Sequence, residues 1–321
     1  MRVLITTYHQ AFLIRGGGEF ELLSIKDSLK KAGVIADIYG PYSRSIDNYD
    51  AVLHFSVHGG GVDLLQRIKQ FGKPIILWPN LWVHDKTAEI SKTAKIHIDL
   101  ADCIVFKSIT EKDHFIKMFD PPLSKIKVMN SVVDDCFCNN APPNLFSTLY
   151  KLKKYAIWFG VIEPIKNQIM AIRALKQFNL PLVLVGGYRD HDYYETCRKE
   201  GHENTVFIDG IPEGSEIARS ALQESEFYIE IPLEPPGLSA IAAGLAGCKI
   251  VLSNSVWSKE HFGDSATYVN PNSFDSVISG VKSVLDQKPN ADFIRERLIN
   301  HKLPEAIYPL MDILHETVEM K

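Results

Sequence analysis

Short apolar or β-branched runs alternate with segments of helical period along almost the whole chain, and this restricts the fold more than any other feature. The run VLIT at 3–6 is followed by GEFELLSIKDSLKKAG, VIADIY, AVLHF, VDLLQRIKQFG and PIILW. A Lys-rich helical stretch over 86–99, the run CIVF, a helix over 110–118 and KIKVM continue the series. Runs this short are strand length, and a helix between two of them carries the chain back so that the next strand lies parallel. One doubly wound parallel sheet is expected from this half.

Between Asn130 and Lys154 the periodicity lapses into a stretch containing Pro142 and Pro143, and a domain boundary is expected there. A second alternation follows: YAIWFGVI, a helix over 164–178, PLVLVGG, a helix over 191–200, TVFIDG, a helix over 213–224 and FYIEIPL. It ends with a helix over 238–247, then KIVLS and ATYVN. Helical segments over 291–300 and 305–320 close the chain, the last with Ile307, Leu310, Ile313, Leu314 and Val318 on one face. The expected architecture is α/β: two Rossmann-like domains, 1–150 and 151–303, face across a cleft, and a helix over 304–321 packs back on the first. In such folds ligands sit outside the carboxyl ends of the strands.

The 321 residues agree with two domains at roughly 150 each. Thirty-five Lys and Arg against thirty-nine Asp and Glu leave a formal charge of −4, so no global positive field exists and nucleic acid is not an expected partner. No apolar run approaches the roughly 18 residues of a spanning helix, and the N-terminus enters a strand at once, so a cytoplasmic protein is expected. The five cysteines are an odd number in a chain too long to need disulfide staples, so reduced thiols are expected. Cys136 and Cys138 lack a second pair at zinc-finger spacing and read as loop cysteines, with no metal site.

Three segments carry residues suited to chemistry. Arg15-Gly16-Gly17-Gly18-Glu19 opens the first helix after strand one, either as a cradle for an anion or as a turn. A dinucleotide fingerprint with Asp37 as its acidic residue fails, because its third glycine falls on Glu21 and the loop after Thr7 is too long. Phe159 to Gln168 leads from the first strand of the second half into a helix and presents Gly160, Lys166 and Asn167 at the strand end. There the Lys166 ammonium suits a phosphate. Glu234-Pro235-Pro236-Gly237-Leu238-Ser239 places a carboxylate beside the amides of a helix start, followed by Ala- and Gly-rich positions suited to close packing on the sheet.

In their order, these segments resemble the retaining nucleotide-sugar glycosyltransferases of the GT-B fold, the group related to sucrose synthase and bacterial mannosyltransferases. Gly17-Gly18-Glu19 is similar to the family's Gly-Gly-x-Glu loop, and Tyr49 to His54 to its strand-four entry. Ala101-Asp102 with Ser108 and Glu111, and Val128 to Asp134, resemble further family segments of the first half. Gly160 to Asn167 resembles the Gly-Arg-x-x-x-x-Lys-Asn pattern, Leu184-Val185-Gly186-Gly187 the next strand end, and Glu234 to Leu238 the Glu-Gly-Phe-Gly-Leu loop.

The resemblance implies transfer of a sugar from a nucleoside-diphosphate sugar to an acceptor hydroxyl with retention, as in glycan or cell-surface polysaccharide synthesis, without a metal or other cofactor. Glu234 would take the sugar and Lys166 the diphosphate, with Gly237, Leu238 and Ser239 on the phosphate side. Gly17, Gly18, Gly160, Asn167, Gly186 and Gly187 would line the donor, and Glu19, His54, His58 and His84 the acceptor side. The acceptor would be a glycan, a lipid-linked sugar or a protein, with peripheral membrane contact through Lys86, Lys92 and Lys95 as one arrangement and a solvated helix face as the other. Val161 stands where the family has Arg, Ala242 where it has a second Glu, and Pro79 or Asn80 where it has a cleft His. Each lost charged hydrogen bond weakens donor binding by about ten- to a hundredfold. The second reading is therefore a weak or inactive GT-B protein serving as a partner subunit, and a third is a sugar-nucleotide epimerase of the same fold.

Overall fold

The structure is a computed structural model that describes residues 1–13, 17–58, 60–83 and 86–320. It divides into two compact units, Met1–Val132 with Leu303–Lys321, and Val133–Lys302.

The first unit runs β1 (Arg2–Thr6), α1 (Gly17–Lys31), β2 (Ile35–Ile38), β3 (Ala51–Phe55), α2 (Val62–Gln70), β4 (Ile75–Trp78), α3 (Ala88–Leu100), β5 (Cys103–Phe106), α4 (Ile109–Phe119) and β6 (Ile126–Val128). Its six strands are parallel in the order β2-β1-β3-β4-β5-β6. The direction of winding reverses between β1 and β3, so the segments after these two strands flank the crevice where such sheets bind ligands. The central strands β3, β4 and β5 are buried along their whole length, as a parallel sheet covered on both faces requires.

The second unit runs α5 (Leu145–Tyr150), β7 (Ala156–Phe159), α6 (Gln168–Lys176), β8 (Leu182–Val185), α7 (His191–Gly201), β9 (Thr205–Ile208), α8 (Glu216–Gln223) and β10 (Phe227–Glu230). It continues through α9 (Leu238–Leu245), β11 (Ile250–Ser253), α10 (Val256–Phe262), β12 (Thr267–Val269), α11 (Phe274–Asp286) and α12 (Ala291–Leu298). The strand order is β12-β11-β10-β7-β8-β9, again all parallel, and the reversal lies between β7 and β10. The two segments singled out in the second half of the sequence are the ones that leave these two strands.

Helix starts follow capping chemistry. The side chains of Thr87, Ser108, Asp190, Ser215, Ser255, Ser273 and Asn290 each accept a hydrogen bond from a first-turn N–H. At α4 Ser108 accepts from Glu111 N at 2.9 Å while Glu111 accepts from Lys107 N at 2.7 Å. Ser108 caps the helix, and Glu111 ties the preceding residue to its first turn.

The domain boundary departs from the sequence expectation. The segment 133–150, read as the end of the first domain, packs within the second unit: Phe146 is fully buried beside Tyr155, and its N–H donates to Ser220 Oγ at 2.8 Å. The last helix, α13 (Tyr308–Glu319), belongs to the first unit, where Ile307, Leu310, Ile313 and Leu314 join Val3, Ile5, Leu22 and Val105 in one core. The close packing expected of the small residues in α9 is made against α12. A Cβ at Gly244 would collide with Leu298 and approach Ile294 to 3.3 Å.

Candidate functional site

In the second unit, β7 leads through Gly160, Val161, Ile162 and Glu163 into a single 3-10 turn, Pro164–Lys166, and then α6. Lys166 Nζ pairs with Glu234 Oε1 at 2.6 Å, so the segments after β7 and β10 meet through the two residues expected to do the chemistry. The main chains are tied as well, Leu233 N donating to Ile165 O at 2.9 Å. Burial alone would lower the pKa of Lys166, but the carboxylates of Glu234, Glu230 and Glu163 raise it, and the ammonium stays charged. Arg189 reaches Glu163 at 3.3 Å on the outer side of the same loop.

The glycines hold the strand ends together. Gly160 N donates to Val185 O, Gly186 N to Ile208 O, and Ile162 N to Gly187 O. Gly186 has φ +147°, and a Cβ there would run into the carbonyl of Gly160, so only glycine lets these main chains abut. Asn167, in the left-handed region at φ 62°, spends its side-chain amide on the carbonyls of Ile231 (3.3 Å) and Pro271 (2.9 Å). It is a clamp on the neighbouring loops, whereas the sequence places it on the donor.

Gly237 caps α9, with Leu238 and Ser239 as its first residues. This helix start already faces an anion that sequence reasoning missed. Glu230, the last residue of β10, is buried and accepts from Gly237 N at 3.1 Å, Ser239 Oγ at 3.1 Å and Tyr228 Oη at 2.7 Å. Burial raises the pKa of Glu230, and the charge of Lys166 pulls it back in part. The available signal was a lone acid in the otherwise apolar run FYIEIPL. Ala242 is buried within α9 and offers no polar group, and Val161 contributes its carbonyl to Gln168 Nε2 at 2.9 Å.

In the first unit, the acceptor-side candidates separate. Glu19 is buried and accepts from Tyr8 Oη at 2.7 Å, and the Tyr8 ring meets that of His58 edge-on at 5.6 Å between centroids. Glu19 and the exposed His58 thus gather around Tyr8, beside the β1–β3 reversal. His54 is different: it is fully buried, bonded through Nδ1 to Thr6 Oγ1 at 2.8 Å and packed on His97 at 5.3 Å. Burial, then His97, push its pKa down to about 3, so it is a neutral interior residue rather than a lining one. His84 lies outside the described residues, as do Arg15 and Gly16.

Gly17 and Gly18 form the first turn of α1, where Gly18 makes room for Asn80: a Cβ would meet the Asn80 amide at 2.9 Å. Asn80 accepts from Lys107 Nζ at 2.7 Å, and Lys107 pairs with Glu21 at 2.8 Å. Asp37, the acid of the dinucleotide reading, is engaged by Arg44 and by Tyr49 Oη at 2.8 Å. Among the described residues no cluster of three or more His, Cys, Asp or Glu could hold a metal ion, and no helix is long and apolar enough to cross a membrane.

Solved structures share the fold. Sucrose-phosphate synthase from Thermosynechococcus elongatus superposes with a TM-score of 0.80 over 100% of this chain and 99% of its own, at 14% identity. A glycosyltransferase from Rickettsia africae gives 0.76, and Anabaena HepE, solved in complex with UDP-glucose, gives 0.74, with the same identity and coverage. The chain has the GT-B fold. In sequence, the Escherichia coli O-antigen chain mannosyltransferase B is 21% identical over 215 residues, which cover 63% of this chain. The match spans 56% of that protein's length. No protein-family model matches the chain. On the GT-B frame the Lys166–Glu234 pair and the start of α9 lie at the carboxyl ends of the second-unit strands, beside its reversal of winding.

Proposed function

We propose that this protein is a glycosyltransferase that moves a sugar from a nucleoside-diphosphate sugar to an acceptor hydroxyl with retention at the anomeric carbon. The observation that carries this is the 2.6 Å pairing of Lys166 with Glu234 across the two segments that flank the β7–β10 reversal. The complexes of HepE with UDP-glucose and the mannosyltransferase match support the substrate class. Glu234 would accept from sugar hydroxyls, and Lys166 would face the diphosphate. As the anomeric C–O bond breaks, its electron pair goes to the diphosphate oxygen, and Lys166 and the amides of Leu238 and Ser239 stabilise that charge. The acceptor oxygen bonds to the same carbon on the same face, and its proton passes to the departing diphosphate, so the scheme needs no metal and no protein nucleophile. Transfer by Glu19 or His58 of the first unit is not required, and these residues would orient the acceptor. A glycan, a lipid-linked sugar or a protein fits that role, the second with a membrane-peripheral habit through the exposed Lys86, Lys92 and Lys95.

The test is transfer or donor hydrolysis with UDP-, GDP- and ADP-sugars, with and without EDTA. Activity with one donor that Glu234→Ala abolishes is expected; inactivity with every donor and acceptor extract refutes the reading. A second reading, a partner subunit of an active transferase, is favoured by one observation. Lys166 and Arg189 face Glu163, Glu230 and Glu234, a local balance of 2 − 3 = −1 where a dianion has to bind. Copurification with a transferase, together with no nucleotide binding at millimolar concentration, would establish it.

A further inference from the structure

The proposed reaction leaves Glu230 without a task, yet no other acid in the second unit is so completely enclosed by the site: it is 2% exposed and accepts three hydrogen bonds. Two of these come from the first turn of α9, where the helix dipole and unpaired N–H groups favour an anion. A carboxylate therefore occupies the electropositive end that a diphosphate would also use, and both draw on the same cation, Lys166.

We propose that Glu230 is a proton-linked charge gate for the donor: ionised, it holds the start of α9 in place, and it takes up one proton from solvent when a nucleotide sugar brings its diphosphate to Lys166. This rests on the glycosyltransferase reading and adds to it how the site accommodates the donor's charge.

The hydrogen bonds around Glu230 can serve both states. Tyr228 Oη lies 2.7 Å from Glu230 Oε2 and 3.4 Å from Phe159 O. While Glu230 is ionised the phenol donates to it; once Glu230 is protonated the phenol can turn its hydrogen to Phe159 O and accept from the new acid hydrogen. The Ser239 hydroxyl, 3.1 Å away, also can either donate or accept. Neither state strands a buried polar atom.

The sign follows from the groups that face Glu230. From its own strand comes Tyr228, whose pKa burial and Glu230 itself lift well above the ordinary value, so it stays neutral. From the turn before α6 comes the cation Lys166, which favours the ionised acid, and α9 contributes the uncharged Gly237 and Ser239. Glu234 and Glu163 act through Lys166. A diphosphate that shares Lys166 weakens the interaction keeping Glu230 ionised and adds repulsion, so binding raises its proton affinity. Nucleotide-sugar affinity is then highest below the pKa of Glu230 in the empty site, falls as pH rises, and levels off above its pKa in the complex.

Calorimetry of UDP-glucose and GDP-mannose with the full-length protein tests this, in EDTA, from pH 5.5 to 8.5, in pairs of buffers that differ in ionisation enthalpy. These diesters do not titrate in that range. The wild type should take up a substantial fraction of one proton per ligand and lose at least tenfold in affinity across the range. Glu230→Gln, which keeps the shape and removes the charge, should bind without proton uptake, with a flat profile, and about tenfold or more tighter than wild type at pH 8.5. Wild-type binding with no proton uptake overturns the proposal and needs no variant; so does a Glu230→Gln protein that keeps the slope or binds more weakly. Binding by Glu230→Gln alone supports the gate, whereas no binding by either protein overturns the donor reading and the gate with it.

Discussion

Replacing Gly186 with alanine asks how tightly the strand ends beside Lys166 are stacked. Gly186 follows β8 at φ +147°, and a Cβ there would drive into the Gly160 carbonyl. A non-glycine residue forced into such backbone costs about 1–3 kcal/mol. The collision is with main chain, which cannot rotate aside, so parting the two segments also stretches Gly160 N–H···O Val185 at 2.9 Å or Gly186 N–H···O Ile208 at 2.8 Å. That adds about 1 kcal/mol, for a total of about 2–4 kcal/mol. In a folding unit this large, each kcal/mol lowers the melting temperature by about 2–4 °C. Gly187→Ala is the internal control, because its Cβ would sit 3.4 Å from Asp209 Oδ1, an ordinary contact, and its φ is not in the glycine region. Its effect should stay within about 0.5 kcal/mol. Urea unfolding followed through Trp158, buried on β7, reads both variants. Equal destabilisation by the two, or a neutral Gly186→Ala, refutes the stacking argument. Because Gly160 leads by one turn to Lys166, Gly186→Ala should also weaken nucleotide-sugar binding, and Gly187→Ala should not.

Glu234→Ala should abolish transfer while unit stability falls by only about 1 kcal/mol, since Lys166 keeps the field of Glu230; parallel activity and urea measurements check this. His54 has its folded pKa depressed from 6.5 to about 3, so the neutral form belongs to the fold, and stability present above pH 6.5 is lost as pH falls toward 3. At pH 5 the loss is about 2 kcal/mol by urea unfolding, and His54→Phe should reduce it; equal acid sensitivity in that variant counts against the assignment. Ser108→Ala removes the α4 cap and should cost about 1 kcal/mol, with no change in nucleotide binding. Val161→Arg adds a cation beside Glu163 and Lys166 and should tighten nucleotide-sugar binding about tenfold in calorimetry; unchanged affinity would show that charge does not limit the site.

The paired alternations were enough to predict both sheets, because strands buried on two faces read as continuous apolar runs whatever lies around them. Lys166 and Glu234 were legible as a pair of loop residues since each follows a strand that borders a reversal of winding. The boundary was drawn late because Pro142 and Pro143 look like a linker, whereas Phe146 and its hydrogen bond to Ser220 bind that segment to the second unit. His54 was misplaced for the reason that made its strand easy to find. In AVLHF, buried on both faces, no alternation tells whether its one polar residue points to a ligand or to Thr6. The clamping role of Asn167 was hidden differently, since a side-chain amide that bridges two carbonyls 64 and 104 positions away leaves no trace in spacing.

The helix that follows Glu234 is held at both ends. Its first turn is bound by the Glu230 carboxylate, and at its far end Arg295 donates to Leu245 O at 2.9 Å and Ala246 O at 3.1 Å. An anion at the N-terminus and a cation at the C-terminus both match the helix dipole. Gly244, pressed against Leu298 and Ile294, closes off sliding along α12. With the amides of α9 fixed in place, a diphosphate arriving there meets a set position and an unfavourable local charge. Uptake of a proton removes that mismatch, and among the described residues the only buried acid touching both the helix start and the field of Lys166 is Glu230.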